Sequence, residues 1–251
     1  LAGLLLFGIP SKGSSQEFKN PSLLWKLLPN LTCEDIGKLL KMADFVNKQL
    51  EKGERDFVQS YDLFEIEEDY RCSWTYDNSL AGLFYLIAYV LFEELGDFSS
   101  AQFYLEKAES IIDELIRTQN EDGSWYMAYN VYDLPGTKSP AWGVWPGEER
   151  HMGSIAWAGL LLANYYGLFY NDSSKQERLN NIVDASSKTL QWILSHQQMD
   201  EDKPCYGAFF GGEEYSGKPL DWASIEHNTA VQAFLITVYR LTGYSLYKER
   251  A

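Results

Sequence analysis

Carboxylate residues recur in this sequence shortly before long apolar segments. Asp77, Glu149 and Glu226 occupy such positions at intervals of about 75 residues. Asp77 and Glu226 each follow a hydroxyl residue and a bulky residue, in that order. A carboxylic acid that donates a proton, with a carboxylate that accepts one, is sufficient for general acid–base catalysis. We therefore predict that Asp77 and Glu226 form a catalytic pair.

A purely structural interpretation of Asp77 competes with this hypothesis. Aspartate is among the most favoured residues at a helix N-cap, and the apolar segment would then begin at Asn78. As an N-cap, Asp77 would stabilise the helix and take no part in chemistry.

Further polar residues lie beside the same carboxylates. Glu226, His227 and Asn228 are consecutive, and His151 follows closely after Glu149. Polar groups are costly to bury unpaired, and polar groups that converge in a pocket are typical of binding sites. We predict that Glu149, His151, His227 and Asn228 contact substrate, with His227 orienting a substrate group or tuning Glu226. A hydrogen-bond network at a helix start is the alternative.

Hydrophobic periodicity predicts the elements that position these residues. Three segments are apolar nearly all round and are expected to be buried inner helices: 79–92, 154–168 and 229–241. Three segments with one apolar stripe are expected to be outer helices, 34–50, 101–118 and 178–196, with a further outer helix from 244 onward. This alternation predicts an all-α ring of helical hairpins. The long connections all follow outer helices, so we expect a functional site at one end of the ring.

The predicted arrangement resembles the (α/α) toroid, or barrel, of the six-hairpin glycosidase superfamily. Two motifs are similar to paired signatures of bacterial and archaeal toroid proteins, Trp74-Thr75-Tyr76-Asp77-Asn78-Ser79-Leu80-Ala81 and Ser224-Ile225-Glu226-His227-Asn228. The resemblance extends from about Glu34 to the C-terminus. A full toroid needs six hairpins, and about three and a half are found here, so a shortened chain, an incomplete ring and a relative with fewer helices are all open interpretations.

The resemblance implies a carbohydrate-active enzyme, first of all a glycoside hydrolase that acts on an oligo- or polysaccharide. Its two carboxyl groups would lie about 6.5–9.5 Å apart for inversion or about 5–5.5 Å apart for retention, and toroid hydrolases more often resemble the inverting case. Three alternatives stay open. The first is a lyase or epimerase of uronic-acid polymers, in which His227 and Tyr76 would move a proton. The second is a non-catalytic saccharide-binding domain. The third is a terpene-cyclase-like toroid.

Aromatic residues are frequent in the long connections. Sugars present apolar faces that stack on such rings, and Tyr and Trp also bond hydroxyl groups. The aromatic residues expected to contact sugar in this way are Trp74, Tyr76, Trp142, Trp145 and Trp222. Asn78 is expected to contact sugar as well. Trp142 and Trp145 are the best candidates for exposed platforms. For each single ring, packing in the core is the alternative.

The terpene-cyclase alternative depends on the stretch Gln119-Asn120-Glu121-Asp122-Gly123-Ser124-Trp125, which resembles the QW repeat of those enzymes. No DxDD or DDxxD motif accompanies it. A turn at a helix end, built on Asp122 and Gly123, is therefore the preferred interpretation.

Composition argues against several other classes of protein. The 251 residues include 36 acidic and 21 basic residues, and the net charge of −15 disfavours nucleic acid as a partner. Cys33, Cys72 and Cys205 are far apart and indicate neither a zinc site nor a disulfide framework. Since motifs for phosphate, dinucleotide and zinc binding do not occur in the sequence, we expect neither a metal nor a cofactor.

The ends of the chain add expectations about domains and location. Residues 1–16 are expected to be the remnant of a signal peptide or anchor, or a disordered leader. Residues 17–251 are expected to form one toroid-like domain, complete or cut short at its C-terminus. An extracellular or cell-envelope location is favoured, with the cytoplasm as the alternative. A membrane-spanning helix needs about 20 apolar residues, and none is expected in the body of the chain.

Overall fold

The computed structural model describes residues 33–60, 71–143 and 146–251. In this part the α-helices are α1 (Cys33–Leu50), α2 (Thr75–Glu94), α3 (Phe98–Thr118), α4 (Met152–Phe169), α5 (Gln176–Ser195), α6 (Ile225–Thr242) and α7 (Ser245–Arg250). Short strands, which the sequence did not predict, occur in the connections: β1 (Cys72–Trp74), β2 (Ala128–Asn130), β3 (Arg150–His151), β4 (Gly212–Glu213) and β5 (Pro219–Leu220).

The predicted order of helices is confirmed, but the inner helices begin earlier than expected. Their first residues are Thr75, Met152 and Ile225, whereas the apolar pattern placed the starts at 79, 154 and 229. An apolar pattern marks the apolar turns of a helix, and the polar residue types in the first turns of α2 and α6 are not part of that pattern. As a result, Asp77 and Glu226 lie inside the first turns of α2 and α6, not before them.

The described residues fall into two compact units. The C-terminal unit consists of Gln119–Trp125 and Glu149–Ala251, and the N-terminal unit consists of the described residues of Leu23–Thr118 with Tyr126–Glu148. The single domain expected for 17–251 stays a prediction. The leader expected for residues 1–16 lies outside the described residues.

The N-terminal unit is built on the hairpin of α2 and α3. One face of α3 is buried, with Ala101, Leu105, Ala108, Ile112 and Leu115 on it, as its amphipathic pattern predicts. β1 runs antiparallel to β2, and this short ribbon leads directly into α2.

The C-terminal unit is centred on α4, which packs against both α5 and α6. β4 lies between β3 and β5 in a small antiparallel sheet, with Arg150 opposite Glu213. Gly212 has a φ of +120°, and a Cβ atom there would collide with the carbonyl oxygen of Arg150. Glycine is thus required where this sheet meets the start of α4.

The expectation that every inner helix is buried all round is wrong for α6. Its buried residues, Ala230, Val231, Phe234, Leu235 and Val238, lie on one side. Its exposed residues include Thr229, Gln232, Ala233 and Arg240. Three of these four are polar, which explains why this face is stable in contact with water.

In the described part of the chain, no helix has the length and apolar character needed to cross a membrane.

A buried ion pair joins α3 to the segment that follows α1. The guanidinium of Arg55 lies 2.7 Å from the carboxylate of Glu114, and neither side chain is exposed. Arg55 also donates to the carbonyl oxygens of Asn130 and Thr137, and Glu114 accepts from the Gly136 N–H at 2.9 Å. The additional hydrogen bonds offset much of the cost of removing both charges from water.

The first prediction concerns this ion pair. Glu114→Gln should lower the free energy of unfolding by about 3–5 kcal/mol, because it leaves the Arg55 charge buried without a counter-charge. Urea denaturation followed by circular dichroism measures the change. The matched control is Glu106→Gln on the same helix, where Glu106 is exposed and accepts from Gln102. Equal stability losses in the two variants would contradict the prediction.

Candidate functional site

Asp77 lies in the first turn of α2 as a half-buried carboxylate. Trp74, not Asp77, is the N-cap residue, and its side chain makes no capping hydrogen bond. Burial raises the pKa of Asp77 above its ordinary value of 3.8, and a hydrogen bond with Ser60 opposes part of the rise. The N-cap interpretation of Asp77 is therefore wrong. A carboxyl group whose pKa is raised is suited to donating a proton.

Asn78, the next residue, anchors the segment that precedes β1. Its Oδ1 accepts from the Val58 N–H at 2.8 Å, and its Nδ2 donates to the carbonyl oxygen of Trp74 at 2.9 Å and to the hydroxyl of Ser73. The side chain is fully buried. Since its amide is bonded within the protein and has no exposed surface, we leave Asn78 out of the predicted substrate contacts.

Asn228 makes the same kinds of hydrogen bond in the C-terminal unit. Its Oδ1 accepts from the Phe209 N–H at 2.8 Å, and its Nδ2 donates to the carbonyl oxygens of Ser224 and Phe209. Ser224 is the N-cap residue of α6, and its hydroxyl accepts from the His227 N–H. Asn228 is thus bonded within the protein as well, and we also leave it out of the predicted substrate contacts.

The two asparagines fix the register of the internal repeat. Asn78 and Asn228 each donate to the carbonyl of the N-cap residue four positions earlier and accept from an N–H 20 or 19 residues earlier. In this register Asp77 corresponds to His227, and Glu226 corresponds to Tyr76. The sequence analysis aligned the carboxylates of Asp77 and Glu226, whereas the hydrogen bonds align the amides of Asn78 and Asn228. The predicted equivalence of Asp77 and Glu226 is therefore wrong by one residue.

Three aromatic rings meet in the C-terminal unit, and we call them the ring cluster: His151, Trp222 and His227. Their centroids are 5.6 Å apart for His151–Trp222, 5.2 Å for Trp222–His227 and 5.9 Å for His151–His227. Trp222 is 40% exposed, whereas the histidine side chains are mostly buried. A Cβ atom at Gly153 would collide with the His227 ring, so this close packing requires glycine.

Two glutamates contact the histidines of the ring cluster. Glu149 Oε2 lies 2.6 Å from His151 Nε2, which fixes the orientation of that imidazole. Glu226 Oε2 lies 3.5 Å from His227 Nε2, and its other oxygen faces Trp157 Nε1 at 3.5 Å. The Glu226 side chain is 58% exposed, so a ligand can reach it from solvent.

His227 is held in its neutral form by its surroundings. Burial lowers the pKa of His227 below its ordinary value of 6.5, and the nearby His151 lowers it further, while Glu226 acts in the opposite direction. Its Nδ1 is buried and has no hydrogen-bond partner among the residues that the structure describes. A neutral imidazole can accept a proton, so His227 is available as a base.

The predicted sugar-stacking residues have different surroundings. Trp142 is 58% exposed, and its indole N–H donates to Ser139 at 3.1 Å. Trp74 is partly buried and packs against Cys72, Ala128 and Ala141, and Tyr76 is also partly buried. Trp145 lies outside the described residues. Trp142 and Trp222 are thus the predicted platforms that the structure describes as exposed.

Other groups near these residues were missed by sequence reasoning. Ser60 lowers the pKa of Asp77 against the effect of burial, and Trp157 faces Glu226. Arg150 bonds both Asp122 at 2.8 Å and Glu213 at 2.5 Å, which ties the ring cluster's sheet to an earlier turn. None of these contacts is local, and no pattern of residue types in the sequence indicates them.

The QW-like stretch forms a turn at the end of a helix, as preferred. Asp122 Oδ1 accepts from the Ser124 N–H at 2.9 Å, and Gly123 has a φ of +93°. Gln119 is buried and donates to Gly123, Ala185 and Thr189, which attaches the turn to α5. The stretch therefore has a packing role that needs no cyclase chemistry.

Among the described residues, no group of three or more His, Cys, Asp or Glu side chains is placed to hold a metal ion.

Comparison with known proteins identifies the fold class. No protein-family model matches the sequence, and no curated protein matches it significantly. The structure is similar to that of a GH76 α-mannanase from Bacteroides thetaiotaomicron, with a TM-score of 0.53 and 11% sequence identity. The match covers 93% of this chain and 58% of the mannanase. The predicted all-α (α/α)-toroid fold class is confirmed, and so is the resemblance to the (α/α)-toroid glycosidases in fold.

A second similar structure is the unsaturated glucuronyl hydrolase from Bacillus sp. GL1, which degrades glycosaminoglycan. Its TM-score is 0.43 at 11% identity, and the match covers 86% of this chain and 71% of that enzyme.

The second prediction concerns the neutral state of His227. Because its pKa is lowered in the folded protein, the unfolded chain binds more protons once the pH falls below about 6.5. The free energy of unfolding should therefore decrease more steeply from pH 8 to pH 5 in the wild type than in His227→Gln. Urea titrations at several pH values measure both curves. Parallel curves would show that His227 titrates alike in the folded and unfolded states.

Proposed function

We propose that the protein is a carbohydrate-active enzyme, specifically a glycoside hydrolase that acts on an oligo- or polysaccharide through Asp77 and Glu226. The observation that carries this proposal is the state of Asp77, a half-buried carboxyl group with a raised pKa at the start of an apolar helix. Similarity of the fold to an α-mannanase supports the substrate class.

In the proposed reaction, Asp77 is the general acid. A carboxyl group with a raised pKa keeps its proton at a pH where ordinary carboxyl groups have lost theirs. It can therefore donate this proton to the glycosidic oxygen as the bond to the leaving sugar breaks. Burial, which causes the rise, also strengthens the interaction of Asp77 with any charge that develops near it.

Glu226 is proposed as the second carboxylate, which activates water or attacks carbon. Two features support this role: the side chain is exposed to solvent, and it is flanked by Trp157 and His227. Because His227 is kept neutral, it does not cancel the negative charge of Glu226.

The exposed rings of Trp142 and Trp222 are the proposed sugar contacts. Each offers an indole face of the kind that packs on the apolar side of a sugar. The contact of Trp222 with both histidines places hydrogen-bonding groups beside its ring. Glu149 is proposed to act through His151, which it orients.

A second candidate function, favoured by the neutral His227, is proton abstraction from a uronic acid in a lyase or epimerase reaction. The net charge of −15 disfavours a polyanionic substrate. The two functions differ in their products. A hydrolase releases reducing ends without an ultraviolet-absorbing double bond, whereas a lyase creates that double bond.

The third prediction tests the proposed carboxylates. Asp77→Asn and Glu226→Gln should each reduce turnover at least about 100-fold on any neutral oligosaccharide that the wild type cleaves. Reducing-end release from a panel of neutral and uronic oligosaccharides measures the activity. Asp77→Asn should also be no less stable than the wild type at pH 7, because it removes the cost of a partly buried charge.

Controls for this experiment lie on the outer helices. Glu106→Gln and Asp184→Asn change exposed acids on α3 and α5 by the same chemistry and should keep full activity. Full activity of Asp77→Asn or of Glu226→Gln would refute the assignment of that residue. A wild type that binds sugars without cleaving any would favour the non-catalytic saccharide-binding domain.

A further inference from the structure

Gly211 lies against one face of the Trp222 indole. A Cβ atom at Gly211 would come within 2.6–2.7 Å of the indole atoms Cδ2, Cε2 and Cζ2. Cδ2 and Cε2 are the carbons shared by the two rings and have ring atoms around them in the plane, so an atom this close to both lies above a face of the indole. Trp222 is 40% exposed, and solvent therefore reaches the indole from the side away from Gly211.

The Trp222 ring, and not the backbone, is what requires glycine at position 211. Gly211 does not have a positive φ, unlike its neighbour Gly212, so an alanine could adopt its conformation. Hydrogen bonds hold the backbone here. The Gly211 N–H donates to the Trp222 carbonyl oxygen at 2.7 Å, and the Gly211 carbonyl oxygen accepts from the Met152 N–H at 2.8 Å. A side chain at position 211 would consequently displace the indole more easily than the backbone.

The two histidines of the ring cluster contact the same indole. The His151 ring is nearly perpendicular to it, at an angle of 79°, and the His227 ring is inclined to it by 50°. Glu149 holds His151 at 2.6 Å. The indole is thus fixed by several neighbours before any ligand arrives. A binding group that is already in place avoids the entropic cost of ordering it, and this raises affinity.

The charges near the ring cluster disfavour an anionic ligand. The exposed carboxylate of Glu226 lies 3.5 Å from His227 Nε2, and burial lowers the pKa of His227, so the imidazole does not neutralise this carboxylate. The guanidinium of Arg150, on β3, is engaged by Asp122 at 2.8 Å and by Glu213 at 2.5 Å. A carboxylate on a bound sugar would therefore be repelled by Glu226.

We propose that Gly211 is a positioning residue, which backs the Trp222 indole so that the ring cluster is a preformed subsite for the apolar face of a neutral sugar. This inference rests on the proposed function, in which Trp222 contacts substrate, and it adds the residue that sets the platform and the charge class of the sugar. The sugar packs on the side of the indole away from Gly211. His227 contacts both Trp222 and Glu226, which places the subsite beside the proposed second carboxylate.

The fourth prediction concerns Gly211→Ala. The added methyl group displaces the indole, so the Kd for a neutral trisaccharide should rise about 5- to 10-fold, the loss expected for one aromatic contact. Trp222→Ala should raise the Kd at least as much. If Gly211 acts through Trp222, Gly211→Ala should cause no further loss in the Trp222→Ala background. Isothermal calorimetry with mannotriose, maltotriose and cellotriose measures the Kd. A further loss as large as that in the wild type would overturn the positioning role.

The matched control is Gly159→Ala in α4. A Cβ atom there would lie 2.7 Å from the ring of Phe234, in the core of the same unit. This variant is expected to lose stability and to bind the trisaccharides as the wild type does. Equal losses of affinity in Gly159→Ala and Gly211→Ala would overturn the proposal, since a general loss of packing would then explain both.

Two measurements on folded protein keep the proposal testable if Gly211→Ala does not fold. A neutral trisaccharide should change the tryptophan fluorescence of the wild type, and Trp222→Phe should remove most of that change. Trigalacturonate, an anionic trisaccharide, should bind at least about 10-fold more weakly than the best neutral one. An unchanged fluorescence response in Trp222→Phe would overturn the platform, and tighter binding of trigalacturonate would overturn the neutral class of sugar.

Binding and cleavage are measured separately, which distinguishes this inference from the proposed function. If the neutral trisaccharides bind with the predicted losses and no sugar is cleaved, the proposed catalysis fails alone. If sugars are cleaved through Asp77 and Glu226 but Gly211→Ala and Trp222→Ala bind as the wild type does, the inference is overturned while the proposed function stands. A wild type that binds none of the neutral trisaccharides at millimolar concentrations would also overturn the inference.

Discussion

Two regions hold the candidate catalytic residues, one at the start of α2 and one at the start of α6. In each, the side-chain amide of an asparagine in the first helical turn fixes the position of the preceding chain segment. In α2 and in α6, this amide bonds the carbonyl of the N-cap residue on one side and the backbone of an upstream segment on the other. A long connection has no hydrogen-bond ladder to hold it, so its position depends on such side-chain contacts. The positions of the backbone at Val58, before β1, and at Phe209, before β4, both follow from this constraint.

The helices could be predicted from the sequence because burial imposes a period on apolar residues. The predicted outer helix 101–118 and the observed α3 differ only at the first turn. The starts of α2 and α6 were also missed at the first turn. Polar first turns such as that of Asp77 and Asn78 carry no apolar signal. The short strands were missed because two or three paired residues leave no alternation to detect.

The candidate site was predictable only in part. Asp77, Glu226, His151, His227 and Trp222 were selected because of their residue types and their position before apolar segments. The contacts that set their properties were not. Ser60 is distant from Asp77 in sequence, and the register of the repeat depends on hydrogen bonds that a comparison of residue types does not reveal. This is why the sequence matched Glu226 to Asp77, whereas the bonding pattern matches His227 to it.

The ion pair of Arg55 and Glu114 has a consequence for the order in which the chain is made. Arg55 precedes Glu114 by 59 residues, Asn130 by 75 and Thr137 by 82. A ribosome that synthesises the chain from its N-terminus exposes the guanidinium long before its acceptors exist. The segment around Arg55, and with it the neighbourhood of Asp77, can reach its final arrangement only after residue 137 has left the exit tunnel.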